Sequence, residues 1–132
     1  MRNNQPVTQK NYPVRHDCAI ISHTDLQGNL TYVNDGFIEY AGFSREELLG
    51  KPHNIIRHPD MPPEAFRDFW ATLKQGRAWQ GIVKNRRKNG DHYWVKATAS
   101  PLKDGSGYMS VRLQATDAEI KAAEELYAKM WR

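Results

Sequence analysis

Two runs with strand character, Trp79–Arg87 and Asp91–Ser100, stand on either side of only three residues, Lys88-Asn89-Gly90. So short a link permits only an antiparallel hairpin. Two registers are open. A two-residue Asn89-Gly90 turn pairs Asn85 with Trp94; a three-residue loop with Gly90 in a left-handed bulge pairs Asn85 with Tyr93. One step of register exchanges the two faces of a strand. The shorter turn would bury Lys96 beside Val83. The longer loop puts Val83, Asn85, Tyr93, Val95, Ala97 and Ala99 on one face, and Lys84, Arg86, Lys96 and Thr98 on the other, which suits solvent. We adopt the three-residue loop.

The rest of the chain arranges itself around that hairpin. A second hairpin is expected from the apolar run Cys18–His23, the turn residues Asp25–Asn29 and the strand Leu30–Val33. Asn34 and Asp35 can cap a helix over Gly36–Ala41 that Gly42 ends. Ser44 and Glu47 have capping-box spacing for a short helix to Leu49. Asp60 can cap a helix with Pro62 and Pro63 in its first turn, on which Phe66, Phe69, Trp70 and Leu73 share a face until Gly76. Tyr108–Ala115 follows the turn Lys103–Gly107 as a last strand. Thr116 and Glu119 form another capping box, ahead of a terminal helix with an apolar stripe at Ile120, Ala123, Leu126, Tyr127 and Met130. That stripe either docks on a partner or packs back on its own sheet. Antiparallel strands with segregated helices make the fold α+β. Three parts are expected: a polar cap over residues 1–16, flexible or loosely docked, a domain over 17–116, and a linker helix over 117–132.

With 132 residues, 26% charged and 39% hydrophobic, the chain has the size and balance of one globular domain. No apolar stretch approaches membrane-spanning length, and residues 1–17 are polar, without the apolar core of a secretory signal. This chain therefore inserts in no membrane itself. The single cysteine, Cys18, excludes an intramolecular disulfide and a cysteine-based zinc site. We place Cys18 on the first strand as a buried, inert thiol.

The hairpin register has a chemical consequence. Gly81, Ala97 and Ala99 leave room on the inner face, and Asn85 points into that room among apolar neighbours. A buried amide needs partners, from the protein or from a ligand with donors and acceptors along one edge. Trp79 offers a flat apolar plane on the same face. Trp94 is left outside, which calls for a cap or partner to cover it. The segment Pro52–Pro62, PHNIIRHPDMP, supplies a second wall. Its three prolines interrupt regular structure, Ile55 and Ile56 can anchor it, and His53, Asn54, Arg57, His58 and Asp60 remain to be presented. Arg57 suits phosphate, which its planar fork grips. Asp60 reads as a helix cap or as a partner for Arg57.

Other chemistries find less support. Lys84–Lys88 is the densest basic run, but it lacks interleaved aromatics and any nucleic-acid-binding framework, so a solvated hairpin tip is the better reading. Met61, Trp70, Trp79 and Trp94 are open to a plain packing role. No nucleophile elbow, zinc-protease or phosphate-loop motif is present. We assign no catalytic residue and no metal ligand, and read the chain as a non-enzyme.

These stretches together resemble a known family. Leu30–Phe37 (LTYVNDGF), Ala41–Ser44 with Glu46–Gly50, and the Arg87–Gly90 turn before an aromatic strand are similar to a PAS domain. PHNIIRHPDMP and GIVKNRRKNGDHYWV (Gly81–Val95) resemble, more specifically, the flavin-binding PAS domain of bacterial aerotaxis receptors. The resemblance covers roughly residues 7–127. It implies a PAS fold, with a five-stranded antiparallel sheet and short helices on one face, and non-covalently bound FAD read as a redox sensor for oxygen-linked metabolism. On the matching positions, Asn34, His53, Arg57, His58, Asp60, Trp70, Trp79, Asn85 and Tyr93 would form or support the pocket. Asn85 would bond the isoalloxazine edge, Trp79 or Trp70 would stack on a ring, and Arg57 and His58 would meet the phosphates or hold the loop shut, with Asp60 fixing Arg57. A haem alternative would use His53 or His58. A ligand-free PAS interaction module is the remaining alternative. Blue-light PAS domains require a cysteine beside the ring; Asn54–Asp60 contains none, so no photoadduct is expected. The resemblance further implies a homodimer and a HAMP or methyl-accepting signalling module as partner. It also implies a cytoplasmic location, tethered to the inner membrane where a longer natural protein carries the anchor.

Overall fold

The structure, a computed structural model, describes residues 5–131. Five antiparallel strands form one sheet in the order β2-β1-β5-β4-β3. The strands are β1 (Ile20–Asp25), β2 (Leu30–Val33), β3 (Trp79–Arg86), β4 (His92–Pro101) and β5 (Gly107–Gln114). The helices are α1 (Asp35–Ala41), α2 (Arg45–Leu48), α3 (Pro63–Lys74) and α4 (Asp117–Met130), with a single 3-10 turn at His53–Ile56. The strand made last, β5, closes the sheet by entering between β1 and β4.

The central hairpin takes the three-residue loop: Asn85 pairs with Tyr93, and Val83 with Val95. Gly90, at φ +99°, carries the left-handed bulge. The core fills the inner face, where Ile20, Val33, Phe37, Tyr40, Leu48, Ile55, Ile56, Tyr93 and Val95 are buried. Asn34 caps α1, accepting from the Phe37 amide at 2.9 Å, and the Ser44–Glu47 and Thr116–Glu119 capping boxes are both formed. Gly42, at φ +76°, ends α1 in the left-handed region that a side chain would resist.

Three expectations change. The first concerns Lys84 and Arg86, which are buried rather than solvated. Residues 10–12 run beside β4 beyond the end of β5: the His92 amide donates to the Lys10 carbonyl at 2.9 Å and the Tyr12 amide to the His92 carbonyl at 2.7 Å. Arg86 Nε donates to the Pro6 carbonyl at 3.0 Å, and Val14 is buried. Of the two readings of the cap, its described part is thus docked, and Trp94 beneath this end of the sheet is buried. The second concerns Asp60, which does not cap α3. The cap position is Pro62, which has no side-chain oxygen to offer, and the Asp60 carboxylate is taken by Lys84 at 2.8 Å. The third concerns Cys18, which lies just before β1, half-buried; burial pushes its thiol pKa up.

Part of the apolar stripe of α4 packs back on the sheet, while Leu126 stays exposed. Ala123 and Tyr127 are buried, and the Tyr127 hydroxyl donates to the Ile82 carbonyl of β3. Among the described residues no helix is long and apolar enough to cross a membrane.

Candidate functional site

A cavity of about 800 Å³ lies between the inner face of β3, β4 and β5, the segment Pro52–Pro63, and α3. That is within the roughly 300–1,000 Å³ of small-molecule sites. Three features of the sequence hollow it out. Ala97 on β4 leaves the floor low. Ile55 and Ile56 anchor the proline-bounded segment on the core, so that its neighbours His53, Asn54, Arg57 and Met61 reach the cavity wall. On α3, residues one turn apart turn Phe66, Phe69 and Trp70 toward the same space.

The aromatic wall is fixed by ring packing. Phe69 meets Trp70 at 4.9 Å and Trp79 at 5.1 Å, both edge-on. The Trp79 indole donates to Asp68 at 2.9 Å. The room that Gly81 leaves is taken by Trp79 itself, because a Cβ at residue 81 would stand 2.5 Å from the indole. The Arg57 guanidinium lies over the Phe66 ring at 4.2 Å.

The inner end is polar and incompletely partnered. Asn85 is 3% exposed; its amide nitrogen makes no well-formed hydrogen bond among the described residues, although the Tyr93 hydroxyl, itself without a well-formed partner, stands beside it. Beside it on the floor are Ser110 and Arg112 of β5. Arg112 is 2% exposed. One guanidinium nitrogen, Nη2, contacts Ser22 at 3.1 Å and His53 Nε2 at 2.6 Å, while Nη1 has no partner among the described residues. Burial lowers the arginine pKa to about 10. Arginine can only donate, so His53 accepts through Nε2 and is neutral. Burial and the Arg112 charge together push its pKa down to about 3. A buried cation without a carboxylate is costly, and a bound group with acceptors would satisfy both Arg112 and Asn85.

Of the nine residues singled out from the sequence, His53, Arg57, Trp70, Trp79 and Asn85 line this cavity. The other four stand behind it. Asn34 ties the β1–α1 junction, accepting from the Ile21 amide and donating to the Ala19 carbonyl. Tyr93 is buried against Tyr40, ring centroids 5.9 Å apart, and burial pushes its pKa up to about 12. His58 is fully buried with its ring edge-on to His92 at 5.6 Å, and accepts from the Asp60 amide at 3.0 Å. Desolvation and the nearby Lys84 lower its pKa to about 4. Asp60 faces away, toward Lys84.

Ser110 and Arg112 were missed from the sequence. Their signal was the inner-face alternation of β5, where Ser110 faces Ala99 and Arg112 faces Ala97. Reading it requires the β4–β5 register, which a five-residue turn does not dictate. The basic run, by contrast, proves structural. Lys84 pairs with Asp60, Arg87 donates to the Tyr40 and Glu39 carbonyls at the end of α1, and Lys88 pairs with Glu47 at 2.6 Å.

A five-stranded antiparallel sheet with a ligand-sized cavity under its helical face defines an α+β domain of ligand-accommodating type. The chain belongs to the PAS fold family, which it matches over residues 30–115, and is a sensory signalling domain of that family. It is 57% identical over 124 residues to the aerotaxis receptor of Escherichia coli strain K12, covering 92% of this chain and 24% of that protein. It is 36% identical over 103 residues to the biofilm dispersion protein BdlA of Pseudomonas aeruginosa, covering 76% of this chain and 25% of that one. The chain thus spans about a quarter of these relatives. Its fold is shared with a light-oxygen-voltage domain studied with a flavin analogue, at TM-score 0.69 and 22% identity over 84% of this chain and 86% of that one. The light-state structure of the Aureochrome1 light-oxygen-voltage domain superposes at 0.68 with 20% identity, over 79% and 85% of the two chains.

Proposed function

We propose that this domain binds FAD non-covalently in the cavity and reports the cofactor's redox state to a chemotaxis-type output. The observation that carries the reading is the pair of buried donors without a well-formed bond, Asn85 Nδ2 and Arg112 Nη1, at the closed end of a cavity with aromatic walls. Leaving such donors unmade costs about 1–3 kcal/mol each. A planar heteroaromatic with acceptors along one edge matches the donors and the walls together. The likeness to an aerotaxis receptor supports the same cofactor and output.

Asn85, Arg112 and Ser110 would hold the polar edge of the ring system, and Trp79 and Trp70 would flank it. Arg57, Arg67 and Lys74 line the cavity and bring positive charge to it, which suits the phosphates. A bound flavin supplies a reversible change of charge and hydrogen bonding at that edge. Asn85 responds because its amide carries both donor and acceptor and can rotate. Arg112 responds through His53, whose Nε2 it holds, and through Ser22 on β1. Both residues lie on strands, and β5 leads through Thr116 into α4, which in this reading would be the linker helix to an output module. Such a switch requires the two redox forms to prefer different arrangements.

Two alternatives lose ground. The histidine that lines the cavity, His53, has its Nε2 engaged by Arg112, and His58, whose Nε2 has no partner among the described residues, lies outside the lining, so neither presents an open nitrogen to a haem in the cavity. No cysteine lines the cavity, so the photoadduct chemistry of blue-light domains has no nucleophile there. The homodimer, the HAMP-type partner and the cytoplasmic location belong to this same reading.

Titration of the purified domain with FAD, followed by absorbance and calorimetry, tests it. Binding of FAD by the wild type and its loss in Arg57→Ala and Asn85→Ala are expected. Retention of full yellow colour by both variants, or preferential binding of haem, would sink the proposal.

A further inference from the structure

The segment that walls the cavity is also held from its far side, through one residue. Arg57 and Met61 line the cavity, whereas Asp60 between them does not. Four bonds converge on Asp60 instead. Its carboxylate accepts from Lys84 Nζ at 2.8 Å and from Gln9 Nε2 at 3.3 Å. Its amide donates to His58 Nδ1 at 3.0 Å, and its carbonyl accepts from the indole of Trp131 at 2.6 Å. Lys84 is itself 8% exposed, reaches Gln9 Oε1 at 3.2 Å, and stands 5.8 Å from the Trp94 ring. Gln9 belongs to the N-terminal cap, Lys84 to the outer face of β3, and Trp131 to the end of α4. None of the three lines the cavity.

We infer that Lys84, Gln9 and Trp131 are positioning residues for the cavity segment, and that Asp60 couples ligand-dependent movement of Arg57–Met61 directly to the N-terminal cap and to α4. The inference rests on the flavin reading for the identity of the ligand and on the geometry alone for the latch. It adds a route to α4 that does not pass through β5. The physical grounds are the low exposure of Lys84 and the number of bonds. The Asp60 side chain is half exposed but that of Lys84 is not, so the ammonium cannot exchange Asp60 for water without penalty and tends to follow the carboxylate. The backbone of Asp60 is bonded at both its amide and its carbonyl, so displacement of the residue disturbs His58 and Trp131 at once. Coupling between two sites is reciprocal. Hence any partner that draws α4 or the cap away from Asp60 also alters ligand affinity in the cavity.

The experiment compares wild type with Lys84→Met, Lys84→Arg, Trp131→Phe and, as a control at an exposed position, Lys103→Met. It measures FAD affinity, flavin midpoint potential, and amide hydrogen exchange in oxidised and dithionite-reduced protein. In wild type and Lys103→Met, reduction should change exchange at Thr8–Tyr12 and in the last turn of α4. Lys84→Met should weaken FAD binding about tenfold, in the range of ordinary coupling energies, shift the potential and abolish both exchange responses, with Lys84→Arg restoring them. Trp131→Phe, which keeps an aromatic side chain but removes the indole donor, should abolish the α4 response and spare the cap. Persistence of both responses in Lys84→Met, or an effect no larger than that of Lys103→Met, overturns the latch. If wild type binds no FAD, the flavin reading fails separately. The latch then stands or falls on whether Lys84→Met raises exchange at Arg57–Met61, Thr8–Tyr12 and the end of α4 in the ligand-free protein.

Discussion

Adjacent residues of β3 have opposite fates. Lys84 and Arg86 point outward, carry full charges and are buried, yet Lys84 has a carboxylate and Arg86 a carbonyl from the docked cap. Asn85 points inward, carries no charge, and its amide nitrogen makes no well-formed hydrogen bond among the described residues. Arg112 on β5 repeats the inward pattern with a charge. Charge density therefore does not locate the site in this molecule. The outer face satisfies its cations, although His58 Nε2 and His92 Nδ1 have no partner among the described residues. The inner face leaves amide and guanidinium donors open beside a ligand-sized cavity, and a ligand there would complete them.

The sharpest break of this comparison is Arg112→Met. Removing a buried cation with no carboxylate partner relieves desolvation, so the ligand-free fold should keep its melting temperature or gain. FAD affinity should fall about hundredfold, the worth of roughly 3 kcal/mol for a charged hydrogen bond. Asn85→Ala should act in the same direction. A melting temperature that falls together with affinity would place Arg112 on the structural side. The mirror experiment is Arg87→Met, on the satisfied side. The α1 carbonyls of Tyr40 and Glu39 lose their donor, and unfolding free energy in urea should drop by about 1–3 kcal/mol, with FAD affinity of the folded protein changed less than threefold.

Asn34→Ala tests a residue that the family resemblance placed with the pocket and the structure places at the β1–α1 junction. Loss of an N-cap costs about 1 kcal/mol. Calorimetric melting should show that loss, and FAD titration of the folded fraction should match wild type. A selective loss of affinity would return Asn34 to the site.

Much of this division was legible in the sequence, for reasons that can be named. The Lys88–Gly90 loop and the alternation of β3 and β4 determined which way Asn85 faces, since the wrong register would have buried Lys96. The capping boxes at Ser44 and Thr116 are local, so local sequence sufficed. What escaped notice was non-local. Arg112 faces the cavity only because β5 enters between β1 and β4, a pairing between segments far apart in the chain. Lys84 and Arg86 read as solvated because alternation describes a face, not what covers it, and their cover is a cap without regular structure. Asp60 has the residue type of a helix cap, but α3 begins at Pro63 with Pro62 at the cap position, and the Asp60 carboxylate goes to Lys84 instead.

Acid should separate the two sides most gently, through their histidines. His53 on the inner side and His58 behind the outer side are both held neutral, with pKa values of about 3 and about 4 against about 6.5 for a free imidazole. Burial acts first on each. The Arg112 charge adds to it at His53, and Lys84, His92 and Arg86 add to it at His58 against the opposing pull of Asp60. The folded pKa lies below the unfolded one, so the unfolded chain binds more protons between them. Stability is then complete above about pH 6.5 and declines as pH falls toward 4. Below about pH 4 the contribution of His58 stops changing while that of His53 continues toward pH 3. Urea midpoints of the ligand-free protein measured from pH 7 to pH 4 should fall, and His58→Phe should make the slope shallower. If the ligand shares Arg112 with His53, bound FAD favours the neutral imidazole further and lowers its folded pKa, so the slope from pH 7 to pH 4 should stay as it is while the loss continues to lower pH. An identical decline below pH 4 with and without FAD would separate the ligand from the Arg112–His53 pair and move the polar end of the site to Asn85 alone.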